Sequence, residues 1–162
     1  MVDERLILLC GLPGAGKTTL ARRLAGELGA IRFCPDEWLT ELAIDLLDVP
    51  ARDRLERKLW QLTRELLGKG QTVILEYGFW SRSERDEKLA FARAAGIPVE
   101  LRFLDVPFEE LLRRVAARND SDDPYTVPLT REMLVDYVPL FQPPDAAELA
   151  LYDDPSGNVP AR

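Results

Sequence analysis

The sequence predicts an α/β fold: a three-layer α/β/α sandwich with helices on both faces of a parallel, five-stranded sheet. Three observations predict it. Short apolar runs alternate with longer stretches of helical periodicity along the 162 residues. The first apolar run, residues 6–10, is continuous rather than alternating, as a strand covered on both faces requires. Glycine or proline closes most segments, which suits short connections between strands and helices. No repeat, low-complexity tract or linker divides the chain, so residues 1–162 read as one domain.

Leu6-Ile7-Leu8-Leu9-Cys10, closed by Gly11, is the first strand. Leu20, Leu24 and Leu28 recur every fourth residue and Gly29 follows, which predicts a helix over 17–28. A second strand is expected over 30–34, stopped by Pro35, then a helix over 36–47 with Leu39, Leu42, Ala43, Leu46 and Leu47 on one face. Pro50 breaks that pattern, and Leu55, Leu59, Leu62 and Leu66 predict a long helix over 51–69. Residues 72–75 form the third strand. Ser81 and Glu84 have capping-box spacing, so a helix starts at Arg82 and runs to about Ala95. Residues 99–104 are the fourth strand. Pro107 opens a helix whose core face carries Phe108, Leu111, Leu112, Val115 and Ala116. Residues 119–128, acidic and marked by proline, read as a mobile loop. A further helix is expected over 130–140 and a fifth strand over 149–152, with a frayed tail from Asp153.

Composition narrows the chemistry. There is no histidine, which removes imidazole bases, Ser-His-Asp triads and His-ligated zinc. Net charge is −7, so long-range steering of nucleic acid or an anionic membrane is unfavourable. Cys10 and Cys34 lack metal or redox spacing and end apolar runs, so both are expected as free thiols. The N-terminal apolar run is far shorter than a membrane span, and the chain is expected to be cytoplasmic.

Gly11-Leu12-Pro13-Gly14-Ala15-Gly16-Lys17-Thr18 matches G-x-x-x-x-G-K-[ST] in full, with a buried strand before it and an amphipathic helix after it. Glycines let successive N–H groups converge on phosphate oxygens, and the helix start adds its positive dipole end. Lys17 would bridge the β- and γ-phosphates, Thr18 would offer its hydroxyl to Mg²⁺, and Thr19 would extend the cradle. ATP and Mg²⁺ are therefore the expected cofactors. No Asn-Lys-x-Asp base reader is present for a guanine switch, and the chain is too short for a transporter ATPase. A small kinase needs only an acceptor pocket, a carboxylate for the hydroxyl, and arginines that close over phosphates.

The chain resembles the P-loop kinases that include chloramphenicol phosphotransferase, zeta toxins and the 5′-hydroxyl kinase domain of polynucleotide kinases, and above all short bacterial AAA-family ATP-binding proteins. The matching stretches are LILLCGLPGAGKTTLARRLA, the Pro-Asp-Glu-Trp segment 35–38, VILEYGFWSRSERD at 73–86 and LLRRVAARN at 111–119. The first is specific for the superfamily; none identifies a substrate. The resemblance implies a sheet of P-loop kinase type with a small helical lid, here about 113–130. It also implies an acid after the second strand that contacts the acceptor hydroxyl, which falls on Asp36. The alternative for Asp36 is a helix N-cap. Glu37 beside it reads as solvated. At the end of the third strand the related proteins commonly carry Asp as a carboxylate near Mg²⁺; here it is Glu76, serving the metal through its longer side chain or facing the acceptor.

The acceptor side is expected to draw on Asp36, Trp38, Glu76, Phe79, Trp80, Arg82 and Arg85. Aromatics after the third strand could wall a pocket, with core packing the alternative for Phe79. Arg82 and Arg85 sit where a helix N-terminus disfavours cations, which suggests an anionic partner, or else surface pairing with Glu84 or Asp86. Trp60 lies off the leucine stripe of its helix and either packs on a neighbour or lines the acceptor side. On the 108–119 helix, Arg118 falls about 90° from the core face with Arg114 one turn back. The resemblance implies a phosphate-contacting arginine there, favouring Arg118, then Arg114, with Arg113 left solvated. The leading reading is γ-phosphoryl transfer from ATP to a hydroxyl of a small molecule, with Lys17, Arg114, Arg118 and Asp36 catalytic. A polynucleotide 5′-hydroxyl kinase and a non-catalytic ATP-binding module are the alternatives.

Overall fold

In a computed structural model the described residues are 4–155. Their sheet has four parallel strands in the order β2-β3-β1-β4: β1 (Leu6–Cys10), β2 (Ile31–Phe33), β3 (Val73–Gly78) and β4 (Val99–Phe103). All five side chains of β1 are fully buried, because the strand is central and covered on both faces. Its alternate residues serve different cores. Leu6, Leu8 and Cys10 pack with Val73, Leu75, Val99, Leu59 and Ala92, while Ile7 and Leu9 pack with Ile74, Ala21 and Leu24. That alternation generates the three layers.

α1 (Lys17–Leu28) covers one face; α3 (Val49–Leu67) and α4 (Arg82–Ala95) supply the other. α4 starts on the expected capping box, with the Ser81 hydroxyl and the Glu84 carboxylate each accepting the other residue's backbone N–H. α2 (Pro35–Glu41) is shorter than expected. Ala43 takes a left-handed φ of 56°, Asp45 accepts from the Leu47 N–H at 2.9 Å, and Asp48 caps α3. Two turn-forming aspartates thus override an apolar stripe, leaving Leu42 and Leu47 exposed. α5 (Phe108–Asn119) follows β4, and α6 (Arg131–Tyr137) gives way to a 3₁₀ turn at Val138–Leu140, where Pro139 cannot continue the α-helix.

The fifth strand does not form. Residues 146–149 are instead a short helix, α7 (Ala146–Leu149), capped by Asp145 and anchored by Glu148. The chain then touches the start of β4 at one point. Asp153 gives its N–H to the Val99 carbonyl, and its side chain accepts the Val99 N–H at 2.7 Å. That carboxylate occupies the edge where a strand would pair, so Asp153 is anchored rather than frayed; the tail beyond residue 155 lies outside the described residues. Both cysteines are free and buried, and burial raises both thiols, Cys10 to about 11 and Cys34 to about 12. Among the described residues, no helix is long and apolar enough to cross a membrane.

Candidate functional site

The chain leaves β1 for one side of the sheet (β2, β3) and later returns to the other (β4), so the carboxyl end of β1 is the switch point where open α/β sheets take ligands. The register between β1 and β3 shifts between Leu8 and Cys10, and the phosphate loop begins there. Gly14 and Gly16 have φ of +84° and +97°, a region only glycine enters freely. A Cβ on Gly14 would stand 2.9 Å from a Val115 methyl on α5, so the loop is threaded tightly beneath that helix. Gly16 is the N-cap of α1 and offers no side-chain hydrogen bond, so the first N–H groups of the helix remain available to an anion.

Lys17 Nζ donates to the Gly11 and Leu12 carbonyls at 2.9 Å each. Burial lowers its pKa from 10.5 to about 8, although the Asp36 carboxylate pulls the other way. The Thr18 hydroxyl donates to Glu76 Oε1 at 2.7 Å, while Glu76 Oε2 accepts from Arg32. Arg32 also holds both oxygens of Glu37 at 2.7 Å, and Arg22 reaches Glu37 at 3.2 Å. Glu37, expected to be solvated, is thus part of a clamp. The extra methylene of Glu76 lets one carboxylate meet both Thr18 and Arg32.

Asp36 is in the first turn of α2, but the capping position is Cys34, and no side chain caps that helix. Its carboxylate accepts from Arg52 Nη2 instead. Asp36 lines one large cavity with Lys17, Thr18, Glu76, Arg114 and Arg118. Arg114 binds the Ala15 carbonyl at 3.2 Å and Glu110 at 2.8 Å. Arg118 differs: its buried Nε has no hydrogen-bond partner among the described residues. Burial lowers its pKa, opposed by the carboxylates of Asp36 and Asp123. Arg113, as expected, is exposed and paired with Glu110.

Four expected acceptor residues stand elsewhere. Phe79 is 1% exposed and packs in the core against Tyr77, because its left-handed φ of 49° turns the ring inward. Arg85 is fully buried, donates bidentately to Glu148 at 2.6 and 3.0 Å, and gives Nη1 to the Phe79 carbonyl. It thereby fixes the strained turn after β3 rather than a ligand. Arg82 pairs with Asp86 at 2.8 Å on the surface, its local alternative, and Trp38 sets its edge on Phe33 outside the cavity. Trp80 does line the cavity: its Nε1 donates to the Gly11 carbonyl at 3.3 Å and its ring meets Tyr137. Trp60 is core, packed on Phe91 with the Lys88 ammonium 4.5 Å from its ring.

Sequence reasoning missed Arg32, Arg52 and Glu56. Arg32 had a signal, a lone cation inside an apolar strand. Arg52 and Glu56 had only their i, i+4 spacing at the start of α3. The segment after α5 has no regular structure; Asn119 clips it at Leu129 with bonds of 2.7 and 3.0 Å, and Tyr125 reaches Glu41 on α2 at 2.8 Å. Asp123, Tyr125 and Thr126 line the cavity from this side.

A family model for the AAA domain matches residues 6–138. Thymidylate kinase of Xanthomonas campestris pv. campestris is 34% identical over 148 residues, covering 72% of this chain and 62% of the relative. Shikimate kinase of Baumannia cicadellinicola is 31% identical over 118 residues, covering 70% and 65%. The chain thus spans less than two thirds of the length of either relative. Chaetomium thermophilum Kti12, solved with ADP-AlF3, superposes with a TM-score of 0.67 at 22% identity, covering 88% of this chain and 82% of that one. A gluconokinase from Sinorhizobium meliloti 1021 gives 0.53 at 19%, covering 98% and 81%. These two share the fold. On the family match, which takes in the phosphate loop, the chain belongs to the AAA-domain family.

Proposed function

We propose that this chain is an ATP-dependent phosphotransferase that moves the γ-phosphoryl group to a hydroxyl of a small molecule. One observation carries the reading: the phosphate loop, Arg118 with its unpartnered Nε, and the Asp36 carboxylate all border one cavity. The curated relatives named thymidylate and shikimate kinase, and the fold shared with gluconokinase, support phosphoryl transfer. The loop N–H groups and Lys17 would bind the triphosphate. Arg118 would meet the charge that develops on the transferring group, and Arg114 would brace the loop. Asp36 would orient the acceptor hydroxyl and take its proton as the oxygen forms its bond to the γ-phosphorus, while the bond to the β–γ bridging oxygen breaks and ADP leaves.

The donor set suits Mg²⁺. The Thr18 hydroxyl and the Glu76 carboxylate put hard oxygens together beside the loop, and among the described residues no cluster of three acidic, histidine or cysteine groups competes as a separate metal cage. When bound there, Mg²⁺ supplies charge neutralisation at the phosphates; Arg32 keeps Glu76 turned toward Thr18. The segment 119–128 would act as a cover over the cavity. Incubating γ-labelled ATP with a panel of hydroxyl compounds tests the reading. Label should pass to at least one small molecule, and Asp36→Asn should keep ATP binding while transfer falls at least about a hundredfold. ATP consumption that no compound accelerates would favour a non-transferring module.

A further inference from the structure

We propose that Trp80 is a positioning residue for Lys17: its indole N–H keeps the Gly11 carbonyl paired when the lysine leaves that carbonyl for the phosphates of ATP. This rests on the phosphotransferase reading and adds a residue to its machinery. Lys17 Nζ donates at 2.9 Å to two carbonyls, those of Gly11 and Leu12. An ammonium has three N–H groups, so two of them are spent inside the loop. Bridging the β- and γ-phosphates takes at least two, so at least one carbonyl must be given up. A buried carbonyl left without a donor costs more than the hydrogen bond itself contributed.

Both carbonyls have a second donor. That of Leu12 accepts the Ala15 N–H at 3.2 Å, a bond of the loop's own turn. That of Gly11, a buried residue, accepts the Trp80 Nε1–H at 3.3 Å, and this donor comes from beyond β3, 69 residues along the chain. The surroundings hold the indole in place. The Gln142 N–H donates to the Trp80 carbonyl at 2.8 Å, and the Gln142 side-chain oxygen accepts the Arg82 N–H at 2.8 Å. The Tyr137 ring packs against the indole with centroids 5.3 Å apart. A Cβ on Gly78 would stand 3.1 Å from Trp80 Nε1 and 3.4 Å from the Gly11 oxygen, so the missing side chain leaves room for this bond. Before nucleotide binds, Lys17 and Trp80 share the Gly11 carbonyl. Once Lys17 turns to the phosphates, the indole keeps that carbonyl paired, and the lysine is released at little cost. Removing the indole N–H therefore weakens the nucleotide-bound form and leaves the free form, where Lys17 still donates, almost unaffected.

The test uses the full chain with Mg²⁺ and a non-hydrolysable ATP analogue. Trp80→Phe keeps an aromatic ring and removes the N–H; in calorimetry it should bind the analogue about three- to tenfold more weakly, the worth of one hydrogen bond. In Lys17→Met, which has no ammonium to release, adding Trp80→Phe should cost nothing further. Nuclear magnetic resonance reads the bond itself, with the Trp80 indole N–H assigned through its own backbone. Its proton should move downfield as the analogue binds to the wild type, because the indole then holds the carbonyl without Lys17. In Lys17→Met it should stand downfield before any nucleotide is added. Should Trp80→Phe fail to fold, these two spectra decide the matter. Undiminished affinity in Trp80→Phe, an equal loss in both backgrounds, or an indole proton that stays in place would each overturn the proposal while the phosphate-loop reading stands. An analogue that does not bind the wild type would overturn both.

Discussion

Raising the pH should loosen the hold of the phosphate loop on ATP, and Lys17 sets the size of the effect. Burial lowers its ammonium to about 8 in the folded protein, against 10.5 for an ordinary lysine. A triphosphate beside it would favour the charged form, so binding above pH 8 must draw a proton from solvent. At pH 9 about one molecule in ten carries the charge beforehand. The apparent Kd should therefore rise up to about tenfold per pH unit above 8, or about 1.4 kcal/mol. The phosphates of ATP are already ionised in this range, so the slope is assigned to Lys17. Stability runs the other way. The unfolded chain keeps the Lys17 proton up to about 10.5 and the folded chain releases it near 8, so this residue makes the nucleotide-free protein more stable as pH rises through that window. Calorimetry at pH 7, 8 and 9, in buffers of differing ionisation enthalpy, reads both affinity and proton uptake. Lys17→Met should bind weakly and without this slope. A wild-type affinity flat from pH 7 to 9.5, or a slope that persists in Lys17→Met, would refute the reasoning.

Three further outcomes follow from particular contacts. Gly14→Ala should destabilise by about 1–2 kcal/mol from left-handed strain alone, with more from the 2.9 Å approach to Val115, and should weaken ATP binding; thermal melts and calorimetry report each part. Glu148→Gln leaves the Arg85 guanidinium buried without its counter-ion and should cost about 3–5 kcal/mol in denaturant unfolding, whereas the apolar pair Arg85→Met with Glu148→Leu should recover part of it. Arg118→Ala should lower turnover by about a hundredfold or more while ADP affinity changes little, because its orphaned nitrogen is assigned to the transferring phosphoryl group.

What the sequence made legible was local in origin. The phosphate loop depends on glycines and a lysine within eight consecutive residues, and the capping box of α4 on two residues three apart. Binary patterning located the strands: β1 is buried deeply enough to need an unbroken apolar run, while β4 alternates as Val99-Glu100-Leu101-Arg102-Phe103. What stayed hidden depended on distant partners. Arg85 resembled a ligand-seeking cation at a helix start, yet its partner Glu148 lies 63 residues away. The apolar residues 149–152 resembled a strand, yet the Asp153 side chain takes the Val99 N–H that a fifth strand would have used. Arg52 and Glu56 offered only an i, i+4 spacing on a long helix; their place at the cavity depends on how α3 packs beside α2. Asp36 was singled out by its place after β2 and by the family resemblance; it pairs with Arg52 and does not cap the helix N-terminus.

The most direct test is a crystal structure with Mg²⁺ and a non-hydrolysable ATP analogue. The account predicts the triphosphate wrapped by residues 11–18, its terminal phosphate bonded to Lys17 Nζ and the Arg118 guanidinium, and the open side of that phosphorus facing Asp36. A nucleotide seated elsewhere with the loop empty, or a terminal phosphate turned away from Asp36, would contradict it.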